Sequence, residues 1–214
     1  MFKIIKKSVD GYLDLPVNYQ MFKQEKQSRG LAVMMPGRGY TVQGPLFHYS
    51  TGIYLNKGYD VLHINYDYTT EQSESLSLDE QIKQISVDVN TVLNQVLTDS
   101  QYTDYALIGK SLGTIALASL ADRQEFYDAK YIWLTPLLQL DLVFEKMLSS
   151  NQKGLCIIGD QDSCFIQEKY EKLTSKKTMS SMLVPGTEHS LNYADDPVGS
   201  IDVLKKVMTE INDF

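Results

Sequence analysis

The chain alternates between short, unbroken apolar runs and longer stretches whose apolar positions fall three or four residues apart. Leu31–Met35 (LAVMM) is apolar at every position and stops at Pro36-Gly37. A run without alternation predicts a strand covered on both faces. Similar runs recur at Tyr59–Tyr66, Tyr105–Ile108, Lys130–Leu134, 154–160 (GLCIIGD) and 179–186 (MSSMLVPG). Between them lie helical candidates at 45–57, Leu112–Leu120, Leu140–Leu148, Gln167–Leu173 and Val198–Ile211. The longest lies within 75–99, where Ile82, Ile85, Val89, Val92, Leu93 and Val96 form one stripe and Val87 falls off it. Ahead of these, residues 2–8 and 17–22 read as two short strands, with Asp10-Gly11 suited to a tight turn between them. Strands alternating with helices predict an α/β fold, a three-layer sandwich with a mostly parallel sheet. A length of 214 residues suits one domain. The polar stretch Thr69–Ser77 is expected to be a long connection at the rim.

Charge and composition narrow the choice of partners. The net charge is −7 and no basic stripe is visible, so nucleic acid is not an expected partner. The first residues, MFKIIKKSVDGY, carry positive charge but no apolar stretch long enough for a secretory signal. No run approaches the roughly 18 apolar residues of a membrane span; the longest, Ala106–Ala121, is interrupted by Lys110 and glycines. A cytoplasmic protein without membrane insertion is the expectation. Cys156 and Cys164 are the only cysteines, and Cys156 sits in a strand-like run, so buried free thiols are expected. The histidines and cysteines show no metal-ligand spacing, and neither metal nor cofactor is expected.

One segment carries chemistry. Gly109-Lys110-Ser111-Leu112-Gly113 follows a strand candidate and opens a helix candidate. In a plain βα unit, Ser111 would cap the helix and Gly113 would permit close packing. In the strand–turn–helix context of G-x-S-x-G, Ser111 is instead a nucleophile on a strained turn, with the flanking glycines removing a clash. A serine needs a base to attack. Of the three histidines, His63 lies mid-strand and His48 lies in the first helix candidate, whereas His189 follows the last strand. Sites in parallel sheets form beyond the carboxyl ends of strands, where Ser111 and His189 both fall. The base in turn needs a carboxylate to fix its tautomer. Asp160 and Asp162 offer one at a further strand end, and Glu188 is a weaker third choice. The glycines of Pro36-Gly37-Arg38-Gly39 match neither nucleotide-binding pattern and suit an oxyanion pocket. The backbone N–H groups of Arg38 and Leu112 are the expected donors. The Arg38 side chain is read as meeting an acidic substrate group or bracing the loop against a carboxylate.

These segments, in this order, resemble those of the α/β-hydrolase fold over almost the whole chain. PGRGYT resembles the oxyanion loop, GKSLG the nucleophile elbow, IIGDQDS the acid loop and GTEHSL the histidine loop. The resemblance selects Asp162 over Asp160, because the acid commonly stands three residues after the glycine. It implies a catalytic triad of Ser111, Asp162 and His189, with Gly37, Gly39, Gly109 and Gly113 supporting the two loops. Only a short segment separates Leu134 from Gly154, enough for one helix. A single α/β-hydrolase domain spanning 1–214 without a separate cap is therefore expected. The implied activity is hydrolysis of an ester-like bond in a small-molecule acyl substrate. A thioesterase, peptidase or amidase would use the same triad, and a binding protein on an inactive hydrolase scaffold is the alternative outside catalysis.

Overall fold

The computed structural model describes residues 1–98, 100 and 102–214. Eight strands form one sheet: β1 (Phe2–Asp10), β2 (Pro16–Gln24), β3 (Leu31–Met35), β4 (Asp60–Asn65), β5 (Tyr105–Lys110), β6 (Lys130–Leu134), β7 (Lys153–Gly159) and β8 (Met179–Val184). Their spatial order is β1-β2-β4-β3-β5-β6-β7-β8. The β1–β2 hairpin is antiparallel and β2 runs antiparallel to β4, whereas every pairing from β4 through β3 to β8 is parallel. β1 is one edge of this sheet, and its Lys3, Lys6 and Lys7 are exposed.

The apolar runs are explained by what covers them. Leu31, Val33 and Met35 of β3 enter one core, and Ala32 and Met34 enter a second core on the opposite face. The first core receives α3 (Leu78–Leu97), α4 (Gly113–Leu120), α5 (Asp141–Ser149) and α6 (Gln167–Thr174). The second receives α1 (Pro45–Asn56) and α7 (Pro197–Asp213). The molecule is therefore a three-layer α/β sandwich, as the alternation of runs and stripes predicts. In α3, Ile85, Val89, Val92 and Leu93 are buried, while Val87 is only half-buried. A capping box between Ser77 and Glu80 starts this helix. Asp99, at the end of the 75–99 stretch, lies outside the described residues.

Three local features differ from expectation. The 69–77 connection contains a one-turn helix, α2 (Glu71–Glu74), where the Thr70 side chain accepts from the Ser73 N–H and buried Ser73 accepts from Gln84. The β1–β2 hairpin runs one or two residues further at its ends than the hydrophobic pattern indicates, because backbone pairing continues through Asp10 and Pro16. Among the described residues the Arg38 guanidinium forms no ion pair; it donates to the Gln81 side-chain oxygen at 2.6 Å.

The topology also sets the place of the site. After β3 the chain enters α1 on one face, and after β5 it enters α4 on the other. β3 and β5 are neighbours, so their following loops part at a crevice above the sheet.

Candidate active site

Ser111 sits in that crevice, directly after β5, with φ at 51°. A non-glycine residue in this left-handed region is strained and must be held by its surroundings. Its N–H donates to the Leu134 carbonyl of β6 at 2.9 Å, and its carbonyl accepts from the Thr114 N–H at 2.8 Å and the Thr114 hydroxyl at 2.6 Å. The flanking glycines are demanded by backbone contact. A Cβ on Gly113 would lie 2.0 Å from the Met35 carbonyl oxygen of β3, and one on Gly109 would lie 2.5 Å from the Gly113 carbonyl oxygen. α4 thus packs against the ends of both central strands.

His189 and Asp162 converge on this serine from two further strand ends. His189 Nε2 is 2.7 Å from Ser111 Oγ, and its Nδ1 is 2.9 Å from each Asp162 carboxylate oxygen. Asp162 is buried and also accepts from the Cys164 N–H at 2.8 Å. Asp160 is turned elsewhere: its carboxylate accepts from the Gly186 N–H at 2.7 Å, tying the β7 loop to the β8 loop. Glu188 is exposed. His48 is exposed on α1. His63 is buried in β4 against Thr51 Oγ1 at 2.7 Å, and burial pushes its pKa down to about 4, so it stays neutral.

The Pro36–Gly39 loop approaches from β3. Gly37 lies against the serine: a Cβ on it would be 3.1 Å from Ser111 Cβ. Arg38 and Gly39 follow in an exposed bend, with Gly39 at φ 69°. Tyr66 fastens the start of this loop by donating to the Pro36 carbonyl at 2.5 Å.

Two nearby residues escaped the sequence reasoning. The side chains of Asp162, Cys164 and His189 bring potential metal-binding atoms within 4.8 Å of one another. Cys164 stands two residues beyond Asp162, a signal visible in the chain. The carboxylate and imidazole bond to each other, and the Cys164 N–H donates to the same carboxylate. Lys110 was read as a break in an apolar run, yet it ends β5 fully buried beneath the site. Both cysteines are free and buried.

Electrostatics favour a charged imidazole. The hydrogen bond to Asp162, followed by one to Cys164, raises the His189 pKa from 6.5 to about 9, against the opposing effect of burial. A raised folded-state pKa adds stability that is complete below the unfolded value of 6.5. That stability is lost as pH climbs through about 9. Chemical denaturation over this window should show stability falling with pH, and the fall should shrink in Asp162→Asn. An equal fall in the variant would deny Asp162 this role.

No family model matches the sequence, and no curated protein matches it. Solved structures do match. A candidate alpha/beta hydrolase of unknown function from Agrobacterium tumefaciens superposes with a TM-score of 0.73 at 17% identity, covering 98% of this chain and 94% of that one. An alpha-beta serine hydrolase homologue from Coxiella burnetii gives 0.73 at 13% identity, with 98% and 96% covered. An esterase from Pyrococcus furiosus gives 0.70 at 14%, with 99% and 91% covered. This chain has the α/β-hydrolase fold. Within the α/β-hydrolase frame, Ser111 stands at the nucleophile elbow between β5 and α4, and the His189–Asp162 pair follows β8 and β7. Among the described residues, no helix is long and apolar enough to cross a membrane.

Proposed function

We propose that this protein is a serine hydrolase that cleaves an ester-like acyl bond in a small molecule through an acyl-enzyme. The observation that carries the reading is the continuous hydrogen-bonded line from Ser111 Oγ through the His189 imidazole to the buried Asp162 carboxylate. In its neutral form, which gains population as pH rises through its raised pKa, His189 Nε2 takes the Ser111 proton as Oγ attacks the carbonyl carbon. Asp162 holds the Nδ1 proton and stabilises the imidazolium. The backbone N–H groups of Arg38 and Leu112 receive the oxyanion, with Gly37, Gly39, Gly109 and Gly113 giving their loops room. His189 then protonates the leaving group, the carbon–oxygen bond breaks, and water repeats the sequence on the acylated serine.

The Pyrococcus furiosus esterase supports the ester class. The single helix α5 between β6 and β7 supports a domain spanning 1–214 without a cap, and hence an open site. The two free thiols support a reducing compartment such as the cytoplasm. A cavity of about 450 Å³ between α1 and α7, lined by Tyr49, Ile201 and Met208, contains none of the triad and is not taken as the substrate site.

Treatment with a fluorophosphonate, read by intact mass, tests the activity class. The native protein should gain one adduct and Ser111→Ala none. A folded native protein that stays unlabelled, or a variant that labels equally, would overturn the reading.

A further inference from the structure

The triad leaves the most buried charge near it unexplained. Lys110 has only 1% of its surface exposed. An ammonium removed from water is unfavourable unless polar partners replace its hydration. Lys110 Nζ donates to the His189 carbonyl at 3.0 Å and to Thr135 Oγ1 at 3.3 Å, and lies 4.7 Å from the centroid of the Tyr40 ring. Among the described residues it forms no salt bridge. Its partners come from three different loops: Tyr40 follows β3, Thr135 follows β6 and His189 follows β8. Lys110 itself adjoins Ser111. Two of the residues beside it are strained, Ser111 at φ 51° and the β-branched Thr135 at φ 43°. Such conformations persist only where surrounding contacts over-determine them. Packing alone does not call for a lysine here, since methionine would fill similar space with no ammonium to desolvate.

We propose that Lys110 is a positioning residue whose buried ammonium clamps the loops carrying Tyr40, Thr135 and His189 around the nucleophile. The proposal rests on the hydrolase reading above. The clamp holds the His189 backbone, so the imidazole meets Ser111 Oγ without a search. Its charge also opposes that of Asp162. The acidic groups facing Lys110 are Asp162 and Cys164, and burial nevertheless pushes its pKa down to about 8. Its positive charge lowers the His189 pKa, countering the larger rise caused by Asp162.

A clamp and a purely electrostatic role predict opposite signs. Loss of the charge alone would let Asp162 raise the His189 pKa further and move the activity limb to higher pH. Loss of the clamp parts His189 from Asp162 and moves the limb down. Lys110→Met removes charge and donors, and Lys110→Gln keeps an amide donor. Ester turnover and fluorophosphonate labelling would be measured across the imidazole titration, with thermal melting as the check on folding. Lys110→Met should react about 10- to 100-fold more slowly, the order expected when a reacting group is misplaced by about 1 Å. Its limb should move to lower pH, and Lys110→Gln, which keeps a donor toward the His189 carbonyl, should move less and keep more of the rate. An unmoved or raised limb in the folded variants overturns the proposal. His189 imidazole resonances, titrated by NMR in the native protein and both variants, give the same sign without catalysis. A native protein that takes no adduct therefore sinks the hydrolase reading, while an unchanged imidazole titration sinks the clamp.

Discussion

Ser111→Ala should lower ester turnover by about 10⁶-fold, with little change in melting temperature. The side chain makes one hydrogen bond, to His189 Nε2, and alanine accepts the same strained backbone no worse than serine. His189→Ala should cost a comparable factor. The double variant should be scarcely slower than either single one, because nucleophile and base act as a unit. Steady-state kinetics on an activated ester would measure all three. Losses that multiply in the double variant would mean that the two residues act independently, contrary to the 2.7 Å contact between them.

Gly113→Ala should produce the largest loss of stability. Its Cβ would stand 2.0 Å from the Met35 carbonyl oxygen, and the Met35 carbon and Pro36 oxygen lie at 2.8 and 3.0 Å. These are backbone atoms of β3 and its loop, with no flexible side chain to swing aside. Relief requires α4 to move off the sheet, breaking close packing around Ile115, Ala116 and Leu117. Overpacking of this kind costs about 3 kcal/mol. For a chain of this size, that lowers the melting temperature by roughly 6–12 °C. Calorimetry would read it directly. A melting temperature within a degree or two of native would show that the helix and strand can part easily. Activity should fall as well, because the displaced backbone belongs to the Pro36–Gly39 loop beside Ser111 and to the serine turn.

How legible a segment was depended on what holds it. The apolar runs Leu31–Met35 and Lys130–Leu134 coincide with β3 and β6 residue for residue. A proline closes each run within two residues, Pro36 after β3 and Pro136 after β6, although burial continues past both strand ends. The ends of β1 and β2 were less visible, because backbone pairing, not side-chain burial, carries the hairpin through Asp10 and Pro16. α2 was missed because one turn has no periodicity to read; it is held by the Thr70 cap and the Ser73–Gln84 hydrogen bond. Ser111, Asp162 and His189 were found by motif and by their places after strands. The choice of Asp162 over Asp160 became geometrical only when Asp160 was seen to bind Gly186. Lys110 stayed hidden because its partners are a carbonyl, a hydroxyl and a ring from distant segments. A lone charge in an apolar run carries no local sign of them. The partner of Arg38 within the chain was hidden for the same reason: Gln81, on α3, reaches it with a neutral amide where a bracing carboxylate was one of the two expectations.

The lysines of β1 bear on solubility. Every other strand except β8 is paired on both sides, but β1 pairs with β2 alone and leaves half its backbone donors and acceptors facing outward. Such an edge is a template on which a second molecule can extend the sheet, and repeated extension gives fibres. A like copy laid along β1 would bring its own Lys3, Lys6 and Lys7 against these, and facing like charges disfavour the pairing. The exposed apolar side chains Phe2 and Ile4, which would otherwise make this margin adhesive, stand among those charges. Resistance to polymerisation is thus built into the strand furthest along the sheet from β8, on the opposite flank from the histidine loop.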